Sequence, residues 1–118
     1  MKYVLLVYGQ EKGLFALTPQ QSAKLDADSL AYDRKLEGQG KLIIAQALQP
    51  VKMSKSLRRR KGKRLVTDGP FAETKEQLLG FVMIEAADLD EALEIAEGIP
   101  LAELGTVEVR AIYDIPGS

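Results

Sequence analysis

Cysteine, histidine and tryptophan are absent from this chain of 118 residues. Without cysteine there is no disulfide, no thiolate nucleophile and no iron–sulfur site. Without histidine there is no imidazole to carry protons near neutral pH. Zinc is left with oxygen ligands alone, a donor set its sites rarely rely on. No Gly-rich phosphate loop opens a helix, so no cofactor is expected, neither a nucleotide nor a transition metal. No apolar run approaches the roughly 20 residues of a membrane span. Met1-Lys2-Tyr3 runs straight into a strand-like segment with no cleavage site, and the expectation is a cytoplasmic protein with no membrane partner.

What is present suffices for one domain, residues 1–118. Hydrophobic residues make up 46% of the chain, and folding at this length buries roughly two-thirds of the surface. The formal net charge of −1 conceals a segregation. Residues 1–37 hold five bases and five acids, residues 38–67 hold nine bases and no acid, and residues 68–118 hold twelve acids against Lys75 and Arg110. Such segments attract each other in a fold, and the same pattern can pair subunits head to tail or across a two-fold axis.

Tyr3-Val4-Leu5-Leu6-Val7-Tyr8 reads as a central strand, and Gly9 to Leu17 as a loop. Thr18-Pro19 opens a helix: Thr18 can accept from the amide of Gln21, and Pro19 sits where a missing N–H costs nothing. Ser22, Leu25, Ser29, Tyr32 and Leu36 share one face of it, and Ala23, Ala27, Leu30 and Ala31 form a second, smaller stripe. Gly38 and Gly40 end it. Leu42–Ala45 is the second strand. Lys52 to Thr67 reads as a basic hairpin with its turn at Arg60-Lys61-Gly62-Lys63. Asp68-Gly69-Pro70-Phe71 is a turn by composition, and Phe81–Ile84 is another strand. Asp88 caps a second helix with Glu91 placed to answer it as a capping box, and Gly98 and Pro100 end that helix. The last strand, Thr106–Ile112, puts Val107, Val109 and Ala111 on one face and Glu108, Arg110 and Ile112 on the other.

This order of strand, helix, strand, hairpin, strand, helix, strand predicts an α+β fold. It is a ferredoxin-like sandwich: an antiparallel sheet, two helices on one face and an added β-hairpin. The other face of the sheet is too apolar to face water, so a homodimer that closes two such faces together is expected.

The stretch from Leu65 to Glu76, Leu-Val-Thr-Asp-Gly-Pro-Phe-Ala-Glu-Thr-Lys-Glu, resembles the signature of the YCII-related family, in the branch named for its Asp-Gly-Pro-Phe tetrapeptide. The opening Met1–Tyr8, Gly80-Phe81, Asp88-Leu89-Asp90-Glu91-Ala92 and the closing Val107-Glu108-Val109-Arg110 extend the resemblance over nearly the whole chain. It implies a dimeric α+β barrel of ferredoxin-like protomers. The wider superfamily includes small-molecule isomerases, monooxygenases and dehalogenases, and some relatives are associated with extracytoplasmic-function sigma factors. The family also carries a His–Asp pair proposed as catalytic, whereas this chain has no histidine, so chemistry that depends on one is closed to it.

The candidate site is built from Tyr8, Asp68, Phe71, Glu73 and Arg110. Asp68 is the catalytic candidate: a carboxylate at the mouth of an inter-protomer cavity, desolvated by Phe71, could exchange protons near neutral pH. Its plainer role is to hold the turn by accepting backbone amides. Arg110 could hold a small anionic ligand by its bidentate fork, or simply pair with Glu108 or Asp68. Tyr8 could donate its phenol into the same cavity, though such a Tyr more often packs at an interface. Glu73 follows closely after Phe71. Arg58, Arg59, Arg60 and Lys61 make the hairpin an interaction element, but no aromatic residue interleaves the charges, and nucleic acid is disfavoured as its partner. Two functions follow: a dimeric small-molecule-binding protein or enzyme acting on a small anionic ligand, or a regulatory module that docks a protein or nucleic acid through its basic hairpin.

Overall fold

The computed structural model describes all 118 residues. Strand β1 spans Lys2–Gly9 and has a strictly alternating burial pattern. Tyr3, Leu5 and Val7 point into the core, and Val4, Leu6 and Tyr8 point the other way, half-buried. A run apolar on both faces is what a central strand needs. β1 pairs antiparallel with β5 (Gln77–Glu85) on one side and β6 (Thr106–Ala111) on the other, and β2 (Leu42–Ala47) pairs with β5. The sheet order is therefore β2-β5-β1-β6, the ferredoxin-like arrangement.

Helix α2 (Pro19–Gly38) is fixed at both ends by local chemistry. The Thr18 hydroxyl accepts from the Gln21 amide at 3.1 Å, and the Gln21 side chain accepts from the Thr18 amide at 2.9 Å, a complete capping box. At the other end Gly40 adopts φ 73°. Lys41 N–H then reaches the Leu36 carbonyl and Gly40 N–H that of Glu37, closing a Schellman motif. Of the two stripes, Ser22, Leu25, Ser29, Tyr32 and Leu36 face the sheet, and Ala23, Ala27, Leu30 and Ala31 are exposed, with Leu30 at the edge of the space under the helix.

Helix α3 (Leu89–Glu97) buries Ala92, Ile95 and Ala96 in the same core. Its cap differs in one detail from a capping box. Asp88 accepts from the Glu91 amide as expected, but the Glu91 carboxylate takes the amide of Ala87 instead of that of Asp88. The core joins Tyr3, Leu5 and Val7, Val82 and Ile84, Leu36 and the α3 residues on one face of the sheet, so the two main helices share that face.

The segment from Gly9 to Leu17 is not all loop. Glu11–Phe15 forms a short helix, α1. A five-residue helix with a glycine inside has too few turns to show a hydrophobic period, and tertiary contacts hold it. The Glu11 amide donates to the Gln77 side chain at 2.9 Å, and the Glu11 carboxylate accepts from the Val51 amide at 3.0 Å.

β3 (Lys55–Arg60) and β4 (Lys63–Asp68) form the hairpin as a separate two-stranded sheet, preceded by a 3-10 turn at Val51–Met53. Lys61 and Gly62, both at positive φ, make a type I′ turn. The hairpin projects from the body: the Cα radius of gyration is 16.3 Å, against about 13.5 Å for a compact chain of this length. No helix is long and apolar enough to cross a membrane.

Candidate functional site

The sequence-derived candidates lie on two different parts of the molecule. Asp68 ends β4, and its carboxylate pairs across the hairpin with Lys55 while remaining 87% exposed. Phe71 is 78% exposed, so within one chain it does not desolvate Asp68. Glu73 is exposed in the following loop. Arg110 and Tyr8 lie on the sheet face opposite the helices. Arg110 Nε forms an ion pair with Glu108 Oε2 at 2.9 Å, the partner that its position two residues along the same strand face supplies. Tyr8 faces Thr106 across the β1–β6 ladder, and the Thr106 hydroxyl donates to the Glu76 carboxylate at 2.8 Å. That bond ties the end of the Asp-Gly-Pro-Phe loop to the Tyr8 end of the sheet. Asp68 and Arg110 have no bond to each other.

A cavity lies elsewhere, on the helix side of the sheet. It is a cleft of about 690 Å³ between α2, α1 and the sheet, within the size range of small-molecule sites. None of Tyr8, Asp68, Phe71, Glu73 and Arg110 lines it. The floor is the sheet at Val7, Ala45, Gly80 and Val82; α1 adds Leu14 and Phe15, and Ile99, Pro100 and Leu101 close one end. Gly80 makes this wall compact, because a β-carbon there would stand 2.6 Å from the Gln46 carbonyl oxygen.

The polar lining comes mainly from α2. Ser22, Asp26, Ser29 and Asp33 fall at helical spacing and all line the cleft, and Glu11 of α1 joins them. No lysine, arginine or histidine is among the lining residues. Asp33 forms no ion pair, and partial burial pushes its carboxyl above the ordinary aspartate range. Burial likewise raises the phenol of Tyr32. Tyr32 is fixed by a 2.7 Å bond from its hydroxyl to the Ile95 carbonyl of α3, so it acts as a wall of the cleft. A partly desolvated carboxylate without a cation can accept a hydrogen bond from a hydroxylated ligand, or exchange a proton with it. No three carboxylates come together as a metal site.

Sequence reasoning missed Asp33, Asp26 and Glu11, although a signal for the cleft was present. Ser22 and Ser29 are small polar residues on the stripe of α2 that faces the sheet, and they leave space where larger apolar side chains would fill it.

A model of the YCII-related domain matches residues 1–116. An uncharacterised protein of Rhizobium meliloti (strain 1021) is 40% identical over 114 residues, covering 95% of this chain and 92% of that protein. Among solved structures, the chain is similar to 5-chloro-2-hydroxyhydroquinone dehydrochlorinase from Burkholderia phenoliruptrix AC1100, in complex with 2,5-dihydroxybenzoquinone. The match covers 96% of this chain and 94% of that one, with a TM-score of 0.59 and 17% identity, a likeness of fold.

Proposed function

We propose, from the premise that this chain belongs to the YCII-related domain family, that it binds a small hydroxylated ring in the cleft under α2, with Asp33 as the group that exchanges a proton with the ligand. The observation that carries the reading is the half-buried Asp33 carboxyl, shifted upward by burial, in a cleft of about 690 Å³ that contains no positive side chain. An anion would meet carboxylates there and gain no compensating cation. An uncharged phenol or quinone would find apolar walls and oxygen acceptors. The dehydrochlorinase of like fold holds a hydroxylated quinone ring.

The test is a thermal-shift and calorimetric screen of small phenols, quinones and keto acids, followed by Asp33→Asn and by Ala45→Phe, which fills the floor. Binding of a hydroxylated ring that both variants weaken at least tenfold is the expected result. Hits that bind both variants as tightly as the parent would remove the cleft from consideration.

A second reading concerns the opposite face of the sheet. Val4, Leu6, Phe81 and Met83 are half-buried there, Ile44 is 41% exposed beside them, and both main helices pack on the other side. A strip of this kind is covered in solution by a second copy, which makes a homodimer. The pairing would enclose Tyr8 and Arg110 in a shared chamber, with Asp68, Phe71 and Glu73 at its mouth. An anionic ligand belongs in that chamber, not in the cleft, because Arg110 is the cation available to it. Arg110→Ala weakens binding only if the ligand sits there, so the two sites are told apart by which variant fails.

A further inference from the structure

We propose that the β3–β4 hairpin is an arm that grips the acidic surface of a second copy of this chain. The inference rests on the self-association reading above and adds an element to it. β3 and β4 pair only with each other, and every residue from Leu57 to Asp68 is exposed. A lone two-stranded hairpin is marginal in water, so one this exposed needs a surface to lie on.

Its two faces differ in a way that suits a protein surface. On one, Leu57 stands opposite Val66, with Arg59 opposite Arg64 beyond them and the Lys55–Asp68 pair below. On the other, Ser56 faces Thr67, Arg58 faces Leu65 and Arg60 faces Lys63. The first face therefore has an apolar centre and a cationic tip. Leu57 and Val66 are 61% and 46% exposed, so that centre is uncovered within one chain.

The charge balance identifies the occupant. Arg58, Arg59, Arg60, Lys61, Lys63 and Arg64 make no ion pair within the chain. Nor do Asp90, Glu94 and Glu97 on α3, or Glu103 after it, and all four are exposed. One chain thus holds a set of unmatched cations and a set of unmatched carboxylates that do not meet, and a second copy supplies the complement of each. The reach is adequate, since a six-residue strand extends about 20 Å and the molecule is 19 Å across its thin axis. A nucleic acid is the poorer occupant, because the hairpin has no aromatic side chain to stack on a base and the rest of the surface is acidic.

The experiment measures self-association by sedimentation at 50 and 500 mM salt for the parent, for R59E/R64E and for E94K/E97K, with circular dichroism as the fold check. The expected result is a parent dimer, at least tenfold weaker dimers for each variant alone at low salt, and restored pairing when the two variants are mixed. As a second readout, Lys61→Cys gives a single thiol in a cysteine-free chain. Labelled with benzophenone, it should photo-cross-link to residues 68–118 of an isotope-labelled copy. A dimer whose affinity neither variant changes would overturn the arm and leave sheet-face pairing standing. A parent that stays monomeric at every concentration would overturn both. Salt-sensitive binding of duplex DNA or RNA that R59E/R64E abolishes, with self-association unaltered, would assign the hairpin to nucleic acid instead.

Discussion

The phenol of Tyr32 occupies the space that a β-carbon on Gly98 would need. Gly98 has an ordinary helical φ of −79°, so its role is space and not conformational freedom. Because that space is open, the Tyr32 hydroxyl reaches the Ile95 carbonyl and fastens α2 to the last turn of α3 at one end of the cleft. Tyr32→Phe should cost about 1 kcal/mol, the usual net worth of such a bond. Gly98→Ala should cost more, since the added methyl meets the ring as well as the hydroxyl. The double variant should lose less than the sum, because the bond can be broken only once. Thermal denaturation of the four proteins measures this, and additive losses would mean the two residues act separately.

Asp33 gives a pH signature whose sign is fixed by its environment. Burial makes its carboxyl harder to ionise in the folded chain than in the unfolded one. Its contribution to stability is therefore fully present below the ordinary aspartate pKa and is lost as pH rises through the raised folded value. Asp33→Asn removes that loss. The variant should match the parent in Tm at low pH and exceed it at pH 7. The opposite ordering at pH 7 would show that Asp33 has a favourable partner when charged.

The elements with strong local chemistry were readable from sequence, and those made by tertiary spacing were not. Thr18, Pro19 and Gln21 announce the start of α2, and Gly40 its end, through contacts only a few residues apart. β1 declares itself by an apolar run with few alternatives, and the hairpin by Lys61-Gly62 between strand-forming flanks. α1 escaped because its support comes from Gln77 and Val51, far away in sequence. The cleft escaped for a related reason. Asp33 sits beside the sheet-facing stripe of α2 and looks like any exposed helix acid until Ser22 and Ser29 are seen to leave room under the helix. Asp68 and Phe71 drew attention because their tetrapeptide is distinctive, but one chain gives both to solvent.

The α2 capping box offers a measurement independent of any ligand. Thr18→Ala leaves the Gln21 amide without its acceptor, while the bond from the Thr18 backbone amide to the Gln21 side chain needs no Thr18 side chain and can persist. A loss of about 1 kcal/mol is expected, seen as a Tm lower by about 4 °C. Thr18→Ser keeps an acceptor at the same place and should restore most of it. Equal losses in the two variants would place the effect in the threonine methyl, not in the cap.

Gly80 connects the sheet to the cleft. It lies on β5 opposite Val7 of β1 and Ala47 of β2, and a β-carbon there would stand 2.6 Å from the Gln46 carbonyl oxygen and 3.2 Å from the Ala47 α-carbon. Both obstacles are backbone, so no side-chain rotation relieves them, and β2 must move away from β5. Gly80→Ala should therefore destabilise the fold by about 1–3 kcal/mol, the range for overpacked sites. The same displacement shifts Ala45 and Gln46, which line the cleft. Affinity for a cleft ligand should fall further in Gly80→Ala than in Thr18→Ala, even when the two are compared at equal distance below their own Tm. Arg110-side binding, if a ligand sits there, should be left largely intact, because Arg110 is carried by β6 on the far side of β1 from β2. Calorimetric titration of both variants with the same hit separates the two outcomes. Equal affinities in Gly80→Ala and the parent would show that the ligand does not contact the β2–β5 wall.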